Sequence, residues 1–291
     1  MPGNDSTAPT VRRSRIGHHF TVDVEEYFQV SALEGVVRRH QWDQLESRVA
    51  RPTMEILEML GERGDRGTFF VLGWIAERFP ELVREIARGG HEVASHGWDH
   101  RRITTLGPEE FRGSIQRSKA LLEDIAGAPV LGFRAPSFSI VPGREWALDL
   151  LIEEGYTYDS SLFPIRRPDG YGFAGTKREP HWLERPAGRL AEVPPATLTR
   201  FGTNLPAAGG AYLRLLPFSL VRTAFREFDN RGVPATFYIH PWELDPGQPR
   251  LPVKPLTRIR HYGGLHRTAS RLRRLLDEFH FRPIAETVAE L

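Results

Sequence analysis

His18-His-Phe-Thr-Val-Asp-Val-Glu-Glu-Tyr27 alternates apolar and polar side chains through its middle. A β-strand points successive side chains to opposite faces, so Phe20, Val22 and Val24 share one face and Thr21, Asp23 and Glu25 the other. The apolar face suits packing against helices, and the carboxylate face suits a polar cavity. An edge strand with a solvated acidic face has the same pattern, so the rest of the chain must decide between the two readings.

Downstream, strand and helix signals take turns. Pro52 to Arg63 reads as a helix with proline in its first turn, followed by Gly67-Thr-Phe-Phe-Val-Leu72 as a buried strand. Pro80 to Arg88 is a second helix, His91 to Ser95 a strand, and Pro108 to Ala126 a long amphipathic helix ended by Gly127. Val130-Leu-Gly-Phe133 and Tyr156-Thr-Tyr-Asp159 are short strands around a helix from Arg144 to Glu154, and Arg189 to Val193 is a further strand candidate. A helix from Pro217 to Arg231 precedes the strand Pro234 to Ile239, and a last helix spans Thr268 to Phe279.

Such alternation argues for a mostly parallel sheet. About seven strands then predict an α/β fold, a distorted (β/α) barrel, in which chemical groups gather at the C-terminal strand ends. Asp23, His96, Arg134, Asp159 and His240 all fall at or just past such an end. Residues 1–15 read as a disordered tail and 16–291 as a single domain, with an irregular excursion at about 164–215 and a helical extension at about 250–291.

His96 and His100 lie four residues apart, which one helical turn would bring to one side, and neutral imidazole is a common metal ligand. The pair suits one divalent ion if a carboxylate completes the set. With 40% apolar and 26% charged residues, the chain has the composition of a soluble globular protein. A net charge of +2 does not suggest a nucleic-acid binder, and the absence of cysteine rules out thiolate chemistry and disulfides. No signal peptide or stretch of roughly 20 apolar residues is present, so the expected location is cytoplasmic, with no membrane span.

Four motifs carry a resemblance: Thr21-Val-Asp-Val-Glu25, Ser95-His-Gly-Trp-Asp-His100, Arg134-Ala-Pro-Ser137 and Ile239-His240. In that order they resemble the polysaccharide deacetylases of the NodB-homology group, the fourth carbohydrate esterase family. Asp-Ser-Ser-Leu-Phe-Pro and Ile-His-Pro-Trp-Glu-Leu-Asp-Pro resemble the subgroup associated with exosortase and exopolysaccharide loci. The resemblance implies a NodB-type barrel and a hydrolase that removes N-acetyl groups from a hexosamine-containing polysaccharide or its precursor. It further implies one divalent metal ion, with zinc the first choice. Asp23 would be the base that deprotonates the attacking water and His240 the acid that protonates the leaving amine. Arg134 would orient Asp23, His96 and His100 would hold the metal, and the Ser137 amide would support the oxyanion.

The chain departs from the family pattern at two positions. Where the family has a second aspartate as metal ligand, this chain has Val24, so the expected acidic ligand is Glu25, with Glu26 or Asp23 itself as alternatives. Ser137 stands where a tyrosine is usual. Asp159 is expected to support the site by orienting His240, and Trp98 and Trp242 are candidates for sugar platforms or core aromatics. His18 and His19 read as structural, and Gly209-Gly-Ala-Tyr-Leu-Arg214 as a substrate-groove wall or, at its Gly-Gly, a plain turn. The expected partner is an N-acetylated polysaccharide or oligosaccharide. The other readings are a non-catalytic glycan-binding barrel and a carbon–nitrogen hydrolase acting on a different small amide.

Overall fold

A computed structural model of the protein describes residues 13–166 and 172–291. Its central strand is β1 (Gly17–Val24), followed by α1 (Ala50–Gly61), β2 (Thr68–Val71), α2 (Gly73–Arg78), α3 (Pro80–Arg88) and β3 (Glu92–Ser95). Then come α4 (Pro108–Ala126), β4 (Gly132–Phe133), α5 (Trp146–Glu153), β5 (Tyr158–Asp159), β6 (His181–Arg185) and β7 (Gly188–Glu192). β8 (Thr197–Arg200), β9 (Thr203–Pro206), α6 (Gly210–Leu215), α7 (Phe218–Asn230) and β10 (Thr236–Ile239) follow. The chain ends with α8 (Pro255–Tyr262), α9 (Thr268–Glu278), β11 (His280–Arg282) and α10 (Ile284–Val288).

The main sheet runs β10-β1-β2-β3-β4-β5-β7-β6, and β11 pairs with the start of β1. Every neighbouring pair from β10 through β7 is parallel, and β6 turns back antiparallel on β7. Among the described residues no strand fills the gap between β7 and β10. Two irregular segments bridge it instead: Ala196 N donates to Thr236 O at 2.9 Å, and Tyr238 N to Ala208 O at 2.9 Å. The result is a distorted (β/α) barrel with a mostly parallel sheet.

The two faces of β1 explain how it sits at the centre. Phe20, Val22 and Val24 are buried in the main apolar core, with Ile56 and Leu60 of α1 and Val83 and Ile86 of α3. Thr21 and Asp23 point the other way, into the barrel, where Arg134 Nη1 reaches both at 2.7 Å. The far end of the barrel is plugged from the C-terminus. Ile284 of α10 packs with Phe70, Ala94 and Tyr158, and His19 bonds Thr236 and Thr287 at 2.9 and 2.8 Å. The C-terminal segment is thus part of the barrel, through β11 and this plug, as well as being helical.

Local differences from the sequence reading follow from tertiary contacts. The helix expected over 52–63 starts at Ala50, directly after Arg48 and Val49, whose amides donate to the Glu26 carboxylate. His91 lies outside β3, and its Nδ1 accepts from Gly67 N at 3.1 Å. The stretch 164–215 carries β6 to β9 and α6. At the N-terminus, residues 1–12 of the expected tail lie outside the described residues. Arg13 pairs with Asp65, and Ser14 N donates to Glu278 O at 3.1 Å, so residues 13 and 14 are tied to the fold.

Candidate functional site

At the C-terminal end of β1 the chain delivers first Asp23, then Glu25. Asp23 Oδ1 accepts from Arg134 Nη1 at 2.7 Å. Arg134 is fully buried; its Nε donates to Ser160 O at 3.2 Å, its Nη2 donates to Ser160 Oγ at 2.8 Å, and its guanidinium lies 4.1 Å from the Phe70 ring centroid. A buried guanidinium with this many acceptors has little freedom to move, so the Asp23 carboxylate is held in one place.

The histidine segment after β3 does not form the expected helical turn. Gly97 and His100 take positive φ values of 77° and 56°. The left-handed backbone brings the imidazoles together instead, with ring centroids 5.5 Å apart. A non-glycine residue in this conformation is held by surrounding structure at a cost of about 1–3 kcal/mol.

Glu25, His96 and His100 each offer one ligand atom, and these atoms all lie within 4.8 Å of one another. All three residues are buried. His96 Nδ1 is engaged with Arg134 O at 2.8 Å, which leaves Nε2 for the shared space. Burial pushes the His96 pKa down to about 4, so the ring is neutral, as a ligand must be. Glu25 Oε2 lies 2.8 Å from His100 Nε2 yet makes no hydrogen bond. The ion-pair distance is met and the donor geometry is not. The donor set of one carboxylate and two imidazoles fits a divalent ion. Burial pushes Glu25 up, but His100 and His240 outweigh it and hold the carboxyl at about 2.

His240, at the end of β10, closes the opposite side. Its Nε2 stands 3.6 Å from Glu25 Oε1 and 3.9 Å from Asp23 Oδ2. Its Nδ1 lies 2.9 Å from Glu243 Oε1. Burial pulls the His240 pKa down, whereas Glu25, Glu243 and Asp23 raise it to about 9. Glu243 itself accepts from the buried Arg214 Nε at 2.7 Å. Burial raises the Glu243 pKa, but Arg214 and His240 prevail and hold it at about 2.

Sequence reasoning missed Glu243 and Arg214. Glu243 had a signal: it stands three residues after His240 and accepts from the His240 amide at 3.2 Å, a capping-box spacing. Arg214 had none, because its pairing spans 29 residues.

The other candidates take different places. Glu26, the alternative acidic ligand, turns away to the start of α1, where it accepts from Ser47 Oγ and from the amides of Arg48 and Val49. Ser137 lines the cavity at positive φ (56°), and its hydroxyl lies 2.8 Å from that of Ser31. Trp242 is no open platform: it is buried, stacks on His240 and His261 at 5.2 and 4.2 Å, and donates from Nε1 to Glu25 Oε1 at 3.2 Å. Trp98 lies outside the cavity, with its ring packed against Gly73 and the Arg117 guanidinium 3.3 Å from the ring centroid. The cavity measures about 220 Å³ and is lined by Asp23, Glu25, His96, His100, Ser137 and His240, among others.

Asp159 does not orient His240; Glu243 takes that position. Asp159 is buried beside Glu192, and its Oδ1 and Oδ2 accept from Ser161 Oγ at 2.6 Å and Ser161 N at 3.1 Å. Ser161 Oγ in turn accepts from Ala135 N at 2.8 Å, under the Arg134–Ser137 turn. Burial pushes the Asp159 pKa up from 3.8 to about 6, despite the hydrogen bonds from Glu192 and Ser161. A carboxyl raised on folding binds more protons in the native state across that window, so its contribution to stability falls as pH rises from about 4 to about 6. Asp159→Asn is therefore expected to gain stability relative to the parent as pH rises through this range. Urea midpoints of both proteins at several pH values measure it; a difference that does not change with pH would contradict the assignment.

Residues 42–145 match the polysaccharide deacetylase family. Over that segment the chain is similar to the polysaccharide deacetylases. Residues 160–289 match a domain of unknown function (DUF3473). His96, His100, Arg134 and Ser137 fall in the deacetylase segment, Arg214, His240 and Glu243 in the second, and Asp23 and Glu25 before both. Among polysaccharide deacetylases and similar proteins, the peptidoglycan-N-acetylglucosamine deacetylase of Bacillus cereus is 32% identical over 98 residues, 33% of this chain and 36% of that protein. The chain spans about a third of the length of such curated relatives. Two solved structures share the fold. A probable polysaccharide deacetylase from Pseudomonas aeruginosa PAO1 has a TM-score of 0.60 at 18% identity, over 95% of this chain and 90% of that one. Puue allantoinase has a TM-score of 0.61 at 16% identity, over 95% and 90%. At these identities the likeness establishes the barrel alone. Among the described residues no helix is long and apolar enough to cross a membrane.

Proposed function

We propose that this chain hydrolyses N-acetyl groups from a hexosamine-containing polysaccharide or its precursor, with one divalent metal ion as cofactor. One observation carries the reading: the Glu25–His96–His100 cluster lies between a carboxylate locked by Arg134 and an imidazole locked by Glu243. A bound divalent ion, zinc for preference, supplies Lewis acidity toward the acetyl carbonyl. Asp23 takes a proton from the attacking water, and Arg134 keeps its carboxylate in place. His240 presents Nε2 to the cavity because Nδ1 is engaged by Glu243, and it passes a proton to the departing amine. The products are acetate and a free amino sugar. The Ser137 amide, in its left-handed turn beside the cavity, donates to the developing oxyanion. Trp242 holds Glu25 through its indole N–H.

Relatives named as peptidoglycan and chitooligosaccharide deacetylases support the substrate class. The subgroup motifs support an exopolysaccharide substrate. The protein is to be loaded in turn with zinc, cobalt and nickel and incubated with N-acetylated glycans and small amides. The expected result is metal-dependent acetate release from glycans, lost on chelation. Metal-loaded protein that releases no acetate from any glycan would overturn the reading.

Glu26 supplies a cheap control for the ligand assignment. Glu26→Ala removes the acceptor at the start of α1 and is expected to cost about 1–2 kcal/mol of stability. Metal content should stay stoichiometric. Loss of metal in this variant would point to Glu26 as the ligand.

A further inference from the structure

A second cavity, of about 210 Å³, adjoins the first, and the two share Val30, Ala32, Tyr238 and His240 in their walls. The rest of its lining comes from residues 211–261, entirely within the segment whose family has no assigned function. Gly209 and Gly210 bring α6 close enough to form one wall: a Cβ at Gly210 would collide with Glu243, and one at Gly209 with Tyr238. Ala211 then faces the space with a small side chain.

The charges in this cavity do not cancel. Among the described residues Glu243 is the one acid in its lining, and it is already matched by Arg214 Nε at 2.7 Å and His240 Nδ1 at 2.9 Å. Arg214 uses its remaining nitrogens on Gly263 O and, at 3.0 Å, Arg260 O. His261 Nε2 is occupied by Gln248 Oε1 at 2.9 Å. Arg260 is left: an exposed lining residue whose guanidinium meets no acceptor among the described residues. Thr257, three residues earlier on α8, lines the same cavity and so presents a hydroxyl on the same helix face.

We propose that this cavity is a subsite for an anionic group, a carboxylate or a phosphate ester, on the sugar next to the N-acetylated one, held by Arg260 with Thr257. A planar guanidinium fork matches either oxyanion in a bidentate way, and the hydroxyl adds a donor at its side. The wall shared at His240 places this sugar immediately beside the reacting one. The proposal rests on the deacetylase reading and narrows its substrate to acidic glycans.

The test uses metal-loaded Asp23→Asn protein, so that binding is measured without turnover. Calorimetry compares three oligosaccharides of equal length: a neutral chitooligosaccharide, one with a uronic acid beside the N-acetylglucosamine, and one with a sugar phosphate there. The acidic ligands are expected to bind about tenfold more tightly than the neutral one, the scale of a charged hydrogen bond. Whichever shows the larger ratio identifies the anion. Adding Arg260→Gln should bring the acidic-to-neutral ratio close to one. A ratio near one before that substitution, or one that survives it, overturns the subsite. Acetate release by the unsubstituted protein from the neutral oligosaccharide separates the two claims. Its absence beside a persisting Arg260-dependent ratio would sink the activity and keep the subsite.

Discussion

Asp23→Asn is expected to lower acetate release by roughly 10³-fold while leaving the metal bound, the scale lost when a positioned general base is removed. The side chains are nearly isosteric, so the amide can sit where the carboxylate does, against Arg134 at 2.7 Å. It cannot accept a proton from water at neutral pH. The metal should remain, because Glu25, His96 and His100 form the cluster without Asp23. Glu25→Ala should do the reverse, stripping the ion and with it the activity. Metal content and acetate release, measured side by side for both variants, decide the matter. Metal lost from Asp23→Asn, with metal and activity both kept in Glu25→Ala, would make Asp23 the ligand and sink the roles assigned here.

Arg214→Met is expected to cost about 3–5 kcal/mol of folding stability, the usual result of removing one partner from a buried ion pair. Both Arg214 and Glu243 are buried, at 0% and 1% exposure, so the carboxylate, left with His240 alone, cannot turn to solvent. The backbone oxygens of Gly263 and Arg260 lose their donors in the same step. Arg214→Met combined with Glu243→Gln should recover part of the loss, because both charges of the buried pair are then removed together. Urea unfolding of the parent and both variants, at constant slope, gives the comparison. A single-variant loss below about 1 kcal/mol, the scale of an exposed pair, would show that the pair does not hold this region together.

Both results depend on residues that differ in how visible they are from the sequence. Asp23 and Glu25 share a face by strand alternation, a rule with a two-residue range, and it places them without knowledge of any other segment. The helices α3 and α4 begin and end where proline and glycine punctuation says they do, since a missing amide proton and a left-handed cap are local matters. The histidine segment is a harder case. Its spacing suggested a helical turn, and the chain takes a left-handed loop instead, because Gly73 and Ser114 bond its backbone from neighbouring helices.

Asp159 shows a limit of position-based inference. A polar residue at a strand end reads as part of the site, yet its closest partners are Glu192 and Ser161. The strand end was right and the direction of the side chain was not, because direction depends on which neighbouring strand offers a partner. The irregular look of 164–215 had a similar cause. β6 to β9 are short, with two of them in a separate two-stranded sheet, so their periodicity never builds up over enough residues to be read.

The sequence by itself determined the barrel's alternating architecture, the placement of its polar groups at one end of the strands and the shared face of Asp23 and Glu25. Each follows from backbone periodicity or local punctuation. Only the tertiary structure decided that Glu26 binds the amides just before α1, that Glu243 and not Asp159 holds His240, and that Trp242 bonds Glu25 while Trp98 packs elsewhere. In each case the choice turns on partners separated along the chain, from three residues for Glu243 and His240 to 217 for Trp242 and Glu25. A buried polar group must find a hydrogen-bond partner, but the sequence does not say which of several it will find until folding has brought them within reach.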